Sequence, residues 1–254
     1  MTLPALLSGK RIAVLGSASG LGLALAAAAE ATGAEVHGID QSRNFEGLSA
    51  FYMADLSDAD ALRAAATALP EGLDGIALLP ALPDGNPRDV LLQGLLAPRI
   101  LVQELAPRLA QGASIVLRGA PMTHHWADTL PEIRAAMTLR HDAVDGFIPR
   151  WGLNLDPSRA SQTVGWALSA WAMAQCWTWA AQGVRINTLT PATADGHLPP
   201  EISAATGESA PRGTEHAAHA ALFLLSDLSK GMTGANLATD GGLTAQRLCR
   251  RDGL

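Results

Sequence analysis

The segment Arg11–Gly33, RIAVLGSASGLGLALAAAAEATG, restricts the architecture of this chain more than any other part of it. A short, mostly apolar run enters a turn of Gly, Ser and Ala, and an Ala- and Leu-rich stretch follows at once and stops at Gly33. That order reads as strand, tight turn and helix, and such a strand buries both its faces only inside a sheet covered by helices. The alternation continues. Strands are predicted at Arg11–Leu15, Glu35–Ile39, Ala50–Met53, Ile76–Leu79, Ser114–Leu117, Arg185–Leu189 and Asn236–Thr239. Helices are predicted over Leu21–Thr32, Asp58–Leu69, Val90–Ala110, Ser161–Ala181 and Glu215–Leu225. The pattern predicts an α/β doubly wound parallel sheet in a single domain spanning 1–254, a length that buries a sizeable core.

The turn carries the first chemical signal. Gly16, Gly20 and Gly22 are spaced G-x-x-x-G-x-G in VLGSASGLG. Missing side chains let a backbone approach a pyrophosphate, and a helix N-terminus offers free N–H groups and a positive dipole end. Asp40, directly after the second strand, stands where a carboxylate accepts hydrogen bonds from an adenosine ribose. It would repel a 2′-phosphate, which favours NAD over NADP, while Arg43 nearby keeps NADP open. The plainer alternative is an ordinary βα turn and a capping Asp with no cofactor bound. On the dinucleotide reading the turn supplies Gly16, Ser17, Ser19, Gly20, Leu21 and Gly22.

Composition excludes other classes. A formal net charge of -6 without a basic run does not suit nucleic acid. Leu3–Leu7 is too short for a signal core, and no run approaches the roughly 20 apolar residues of a membrane span, so no membrane contact and a cytoplasmic location are expected. Cys176 and Cys249 have no metal-ligand spacing; His216 and His219 have no third ligand, and no metal is expected. One segment breaks the rhythm: about 120–158 reads as a lid insertion with a short helix near Pro131–Arg140, and it holds His124, His125, Trp126, His141 and Trp151.

With these residues in view, the chain resembles the short-chain dehydrogenase/reductase family over essentially its whole length. The resemblance rests on the glycine turn, on ADLSD (Ala54–Asp58), on GVRINTLTPAT (Gly183–Thr193) and on GANLATDGG (Gly234–Gly242). The insertion and AQGVRINTLTPAT look like the hydroxysteroid dehydrogenase/carbonyl reductase branch. The resemblance implies a Rossmann-like fold, Asp55 and Leu56 beside the adenine, and Pro191 and Thr193 beside the nicotinamide. It also implies a catalytic set: a Tyr that exchanges the proton, a Lys one helical turn later, a Ser on the substrate oxygen and an Asn ordering a water relay.

Here that set is missing. Counting back from VRIN puts Ser161 at the Tyr position and Gly165 at the Lys position; Gly119 falls at the Ser position, beside Arg118, and Gly94 at the Asn position, beside Gln93. No shift of register restores it, because the single tyrosine is Tyr52 and no Lys lies between Lys10 and Lys230. A general acid contributes roughly 10²- to 10⁴-fold and an oxyanion donor roughly 10²- to 10³-fold, so ordinary turnover should be largely abolished.

Three functions follow as expectations. The first is a pseudoenzyme or partner subunit that binds NAD(H). The second is an alcohol/ketone oxidoreductase using His124, His125, Arg118 or Ser161 as replacements. The third is a non-redox lyase or hydrolase drawing on the same His residues or Asp128. The substrate is a small molecule of unread identity. All six Trp fall between Trp126 and Trp179, and Trp166, Trp171, Trp177 and Trp179 are placed on one helix. With Leu95, Leu101, Val102 and Leu105 on the preceding helix, kinked at Pro98, they suggest a homo-oligomer (dimer or tetramer) or a hetero-oligomer with an intact relative; a fully buried core helix is the alternative.

Overall fold

The computed structural model describes residues 5–121, 125–156, 158–191, 204 and 212–252. Seven strands, β1 (Arg11–Leu15), β2 (Glu35–Asp40), β3 (Ala50–Met53), β4 (Gly75–Leu78), β5 (Ser114–Arg118), β6 (Arg185–Pro191) and β7 (Asn236–Thr239), form one sheet in the order β3-β2-β1-β4-β5-β6-β7. Every neighbouring pair is parallel. The period of two along each strand sends alternate side chains to opposite layers. Ile12 and Val14 face α1 (Gly20–Ala31) and α9 (Arg212–Leu225), while Ala13 and Leu15 face α2 (Ala59–Ala68) and its neighbours. The chain winds from β1 outward to β3, then crosses back to β4, so a crevice opens above the carboxyl ends of β1 and β4.

Local chemistry sets the element ends. Asp58 caps α2 by accepting from the Asp60 and Ala61 amides, and Asn86 caps α3 (Pro87–Leu91) by accepting from Arg88 N. The helix predicted over Val90–Ala110 is interrupted: α3 passes into a π turn, Leu92–Leu96, before α4 (Ala97–Leu105). Pro98 explains the break, since it has no N–H to donate and its ring crowds the carbonyl four residues back; widening that turn accommodates both.

The insertion is more structured than one short helix. It contains α5 (His125–Asp128), α6 (Leu130–Met137) and α7 (Val144–Arg150), and α6 lies on α8 (Ser158–Gln175). The buried Glu132 carboxylate fixes that contact, accepting from Arg159 Nη2 at 2.6 Å and Thr163 Oγ1 at 2.6 Å. Helix α8 stops at Gln175, so Trp177 and Trp179 lie beyond it, and Trp177 is 81 % exposed. Trp166 and Trp171 do lie on α8, but inside the chain: Trp166 packs on Ile133 and Ala120 and donates to Pro121 O, and Trp171 belongs to the sheet-facing core. After β7 the chain forms α10 (Leu243–Asp252), started by Asp240, which accepts from the Gly242 and Thr244 amides.

Candidate functional site

The glycine turn sits at the crevice between β1 and α1. Gly16 has φ +85°, and a Cβ there would lie 2.6 Å from Pro80 Cα, so the end of β4 rests directly on the turn. A Cβ on Gly22 would lie 2.1 Å from Gly16 O, which closes the first turn of α1 onto the strand end. Ser19 caps that helix by position, exposed and without a side-chain cap bond, which leaves its hydroxyl and the adjacent amides for an anion. Ser17, Leu21 and Leu56 have buried side chains. Ser17 is 1 % exposed, its hydroxyl packed against Gly38 without a hydrogen-bond partner, and the Leu21 and Leu56 side chains are core residues. Their backbone is what remains for a cofactor contact.

Asp40 has a role that sequence reasoning missed. Its Oδ2 accepts from Ala18 N and its Oδ1 from Ser42 N, both at 3.0 Å, so the carboxylate ties the glycine turn to the end of β2. Each carboxylate oxygen accepts more than one hydrogen bond, and the ribose capacity survives. Asp55 is exposed, and its carboxylate accepts from Ser57 N and Oγ at 2.8 and 2.7 Å; the hydroxyl bond, then the amide bond, holds it below the usual carboxylate range. Pro191 ends β6, buried; Thr193 and His124 lie outside the described residues, as does the side chain of His125 in α5. The backbone amides and Ser19 as donors and the Asp40 carboxylate as acceptor fit a dinucleotide's phosphates and ribose.

The other half of the crevice is built differently. Ser161 is half-buried on α8. Four residues on, a Cβ at Gly165 would lie 2.4 Å from Ala120 Cβ, 2.8 Å from Ala120 N and 3.0 Å from Gly119 C. The helix therefore touches the tail of β5 backbone to backbone, and no side chain fits at 165. A Cβ at Gly119 would fall within 3.0 Å of Ser169 Oγ, Asn236 Oδ1 and Thr188 Cβ. At Gly94 the nearest atom is the tip of Leu82, at 2.5 Å, followed by Val164 at 3.1 Å. A flexible tip can move aside; the backbone at Gly165 cannot.

Arg118 ends β5 with 6 % exposure and donates from Nη1 to Pro80 O at 3.3 Å, which places its guanidinium beside the strand end that rests on Gly16. The tyrosine and lysines of the chain are elsewhere. Tyr52 Oη meets His37 Nδ1 at 3.5 Å on the β2–β3 edge, and His37 Nε2 meets Glu35 at 2.9 Å. Lys10 and Lys230 both pair with Asp227, and Lys10 directly precedes β1, at the amino ends of the strands. His216 and His219 lie on α9, and no cluster among the described residues could hold a metal ion.

Comparison with known proteins bears on the scaffold as a whole. The family profile described as Enoyl-(Acyl carrier protein) reductase matches residues 160–244, which include most of α8 and all of β6 and β7. Coniferyl-alcohol dehydrogenase from a Pseudomonas species is 26 % identical over 94 % of this chain and 98 % of its own length. The crystal structure of a 3-alpha-hydroxysteroid dehydrogenase from Pseudomonas sp. B-0831, complexed with NADH, superposes with a TM-score of 0.75 at 24 % identity, covering 93 % of this chain and 98 % of that one. A short-chain dehydrogenase/reductase variant from Serratia marcescens gives 0.64 at 19 % identity, covering 94 % and 99 %. Over nearly its whole length the chain is similar to Coniferyl-alcohol dehydrogenase, and it shares the fold of the short-chain dehydrogenase/reductase structures. On that scaffold, this chain joins a glycine turn and ribose-side carboxylate suited to a dinucleotide with an α8–β5 contact too close for a side chain. No helix among the described residues is long and apolar enough to cross a membrane.

Proposed function

We propose that this chain is a short-chain dehydrogenase/reductase that binds NAD(H) and does not itself carry out the family's proton-coupled hydride transfer, serving instead as a pseudoenzyme or partner subunit. The close approach at Gly165 carries the reading: the position counted for the lysine is closed by the backbone of Gly119–Ala120 as well as lacking the group. Asp40 would take the adenosine ribose, selecting NAD over NADP, and Gly16–Gly22 with Ser19 the pyrophosphate. A bound nicotinamide would supply hydride chemistry. What this chain lacks is a group on α8 to move the accompanying proton: Ser161 is an aliphatic hydroxyl with no base one turn away.

The test is a titration of the purified chain with NADH and NADPH, followed by tryptophan-to-nicotinamide energy transfer, then NADH formation from NAD and coniferyl alcohol. Micromolar NADH binding without turnover is the expected result. Robust substrate-dependent turnover by the isolated chain would overturn the proposal.

A second reading is an alcohol dehydrogenase with replacement groups. The whole-length likeness to a relative named for coniferyl alcohol favours it, and so does a buried guanidinium, Arg118, at the end of β5. Turnover that survives the double substitution His124→Ala, His125→Ala and also Arg118→Met would rule those residues out.

A further inference from the structure

The strand-end crevice is not the only site the fold builds. A cleft of about 550 Å³ opens between α2, the first turns of α4 and the Leu139–Asp142 turn of the insertion. Its size falls in the range of small-molecule sites, roughly 300–1,000 Å³. Three guanidinium groups line it, and their charges are not equally met. Arg63 pairs with Asp60 at 2.8 Å and Glu104 at 3.5 Å, and Arg140 pairs with Asp142 at 3.3 Å. Arg99 has only carbonyls: Nη1 donates to Leu139 O at 3.0 Å and Ala136 O at 3.3 Å, its Nε is buried without an acceptor, and it pairs with no carboxylate among the described residues. Burial pushes its pKa down from the ordinary arginine range, the mark of a cation withdrawn from water without a counter-ion.

A partly buried charge of this kind is stabilised by a counter-charge with hydrogen-bonding oxygens, and a guanidinium matches a planar carboxylate best. The surroundings define the rest of the ligand. Leu96, Ile100 and Leu139 give apolar wall, while Asp142 on the lining, with Asp60 and Glu104 beside Arg63, disfavours a second negative charge. We propose that this cleft binds a small monocarboxylic acid with an apolar body, its carboxylate on Arg99.

The cleft is joined to the adenosine side of the crevice. His141, on its lining, meets Ser57 O through Nε2 at 2.9 Å, and Ser57 is the residue that holds the Asp55 carboxylate. An acid ordering the Leu139–Asp142 turn therefore acts on the loop after β3.

The experiment is calorimetric titration of the full chain, with and without saturating NADH, using 3-phenylpropanoate, its neutral amide and inorganic phosphate as probes. One acid per chain is expected, not displaced by saturating NADH, with the amide and phosphate each weaker by roughly ten- to a hundredfold. Arg99→Gln should lower acid affinity by a similar factor, and Arg99→Lys, which keeps the charge but not the fork, by less. Circular dichroism of both variants separates loss of binding from loss of fold, and the acid/amide ratio on the unaltered chain tests the charge without any substitution. No acid binding at 10 mM, an amide that binds as well as the acid, or displacement of the acid by NADH would each overturn the proposal.

Discussion

Substitution of Gly165 by alanine tests the closed position on α8 directly. In the middle of an exposed helix, Gly→Ala stabilises by about 0.5–1 kcal/mol, because glycine loses more backbone freedom on folding. At 165 the added methyl would lie 2.4 Å from Ala120 Cβ and 2.8 Å from Ala120 N. Contact distances are about 3.5–4.0 Å, so α8 and the β5 tail would have to part by more than an ångström. Neither neighbour is the end of a flexible side chain, and overpacking of this kind costs typically about 1–3 kcal/mol. The clash outweighs the propensity gain, and Gly165→Ala should destabilise by about 1–2 kcal/mol, a fall of roughly 2–4 °C in Tm per kcal/mol at this chain length. The control is Gly146→Ala on α7, where a Cβ would meet nothing within 4 Å and the residue is exposed. It should stabilise by up to about 1 kcal/mol. Urea unfolding of the two variants, with unchanged m-values, gives the comparison. If Gly165→Ala stabilised the protein as Gly146→Ala does, the close approach would not exist, and the steric argument for a closed catalytic position would fail. The same geometry predicts that Ser161→Tyr with Gly165→Lys restores no turnover.

Other expectations follow from the same contacts. Asp40→Ala should weaken NADH at least tenfold, measured by energy transfer, because it removes the ribose acceptor and frees Ala18 N and Ser42 N from their shared anchor. Glu132→Ala should cost about 2 kcal/mol, below the range for a fully buried pair because Arg159 is 38 % exposed, and hydrogen exchange should rise first in α6. Hydrogen bonds from Lys10 and Lys230 hold Asp227 below its ordinary 3.8, so its contribution is present above that value and lost as pH falls through the lower folded one. Since Asp227 is largely exposed, the effect should be small, weaker in high salt, and reduced, with Lys230 still in place, in the acid limb of the stability profile of Lys10→Met.

Much of the scaffold could be read from local pattern. The β1 strand, the glycine turn, Asp40 and the break before Pro98 each depend on neighbouring residues, through strand periodicity, backbone freedom or a missing N–H. Boundaries slipped where an end is settled by tertiary packing: α8 ends at Gln175, leaving Trp177 in solvent, although the apolar run continues to Ala181. The role of Glu132 was not legible in the sequence. A Glu in a short amphipathic helix reads as surface, and only Arg159 and Thr163, distant in sequence, make it a buried anchor.

One tyrosine and two lysines, none of them within the segment that becomes α8, and a glycine turn that opens a βα unit can be read from the residues alone. Those are facts of composition and local order. Packing in three dimensions sets Gly165 against Ala120, lets Asp40 hold the glycine turn, and leaves Arg99 among carbonyls while Arg63 and Arg140 find carboxylates. The physical reason is common to all three. Periodicity records which face a residue turns, but the distance between two elements depends on what every other element packed around them allows.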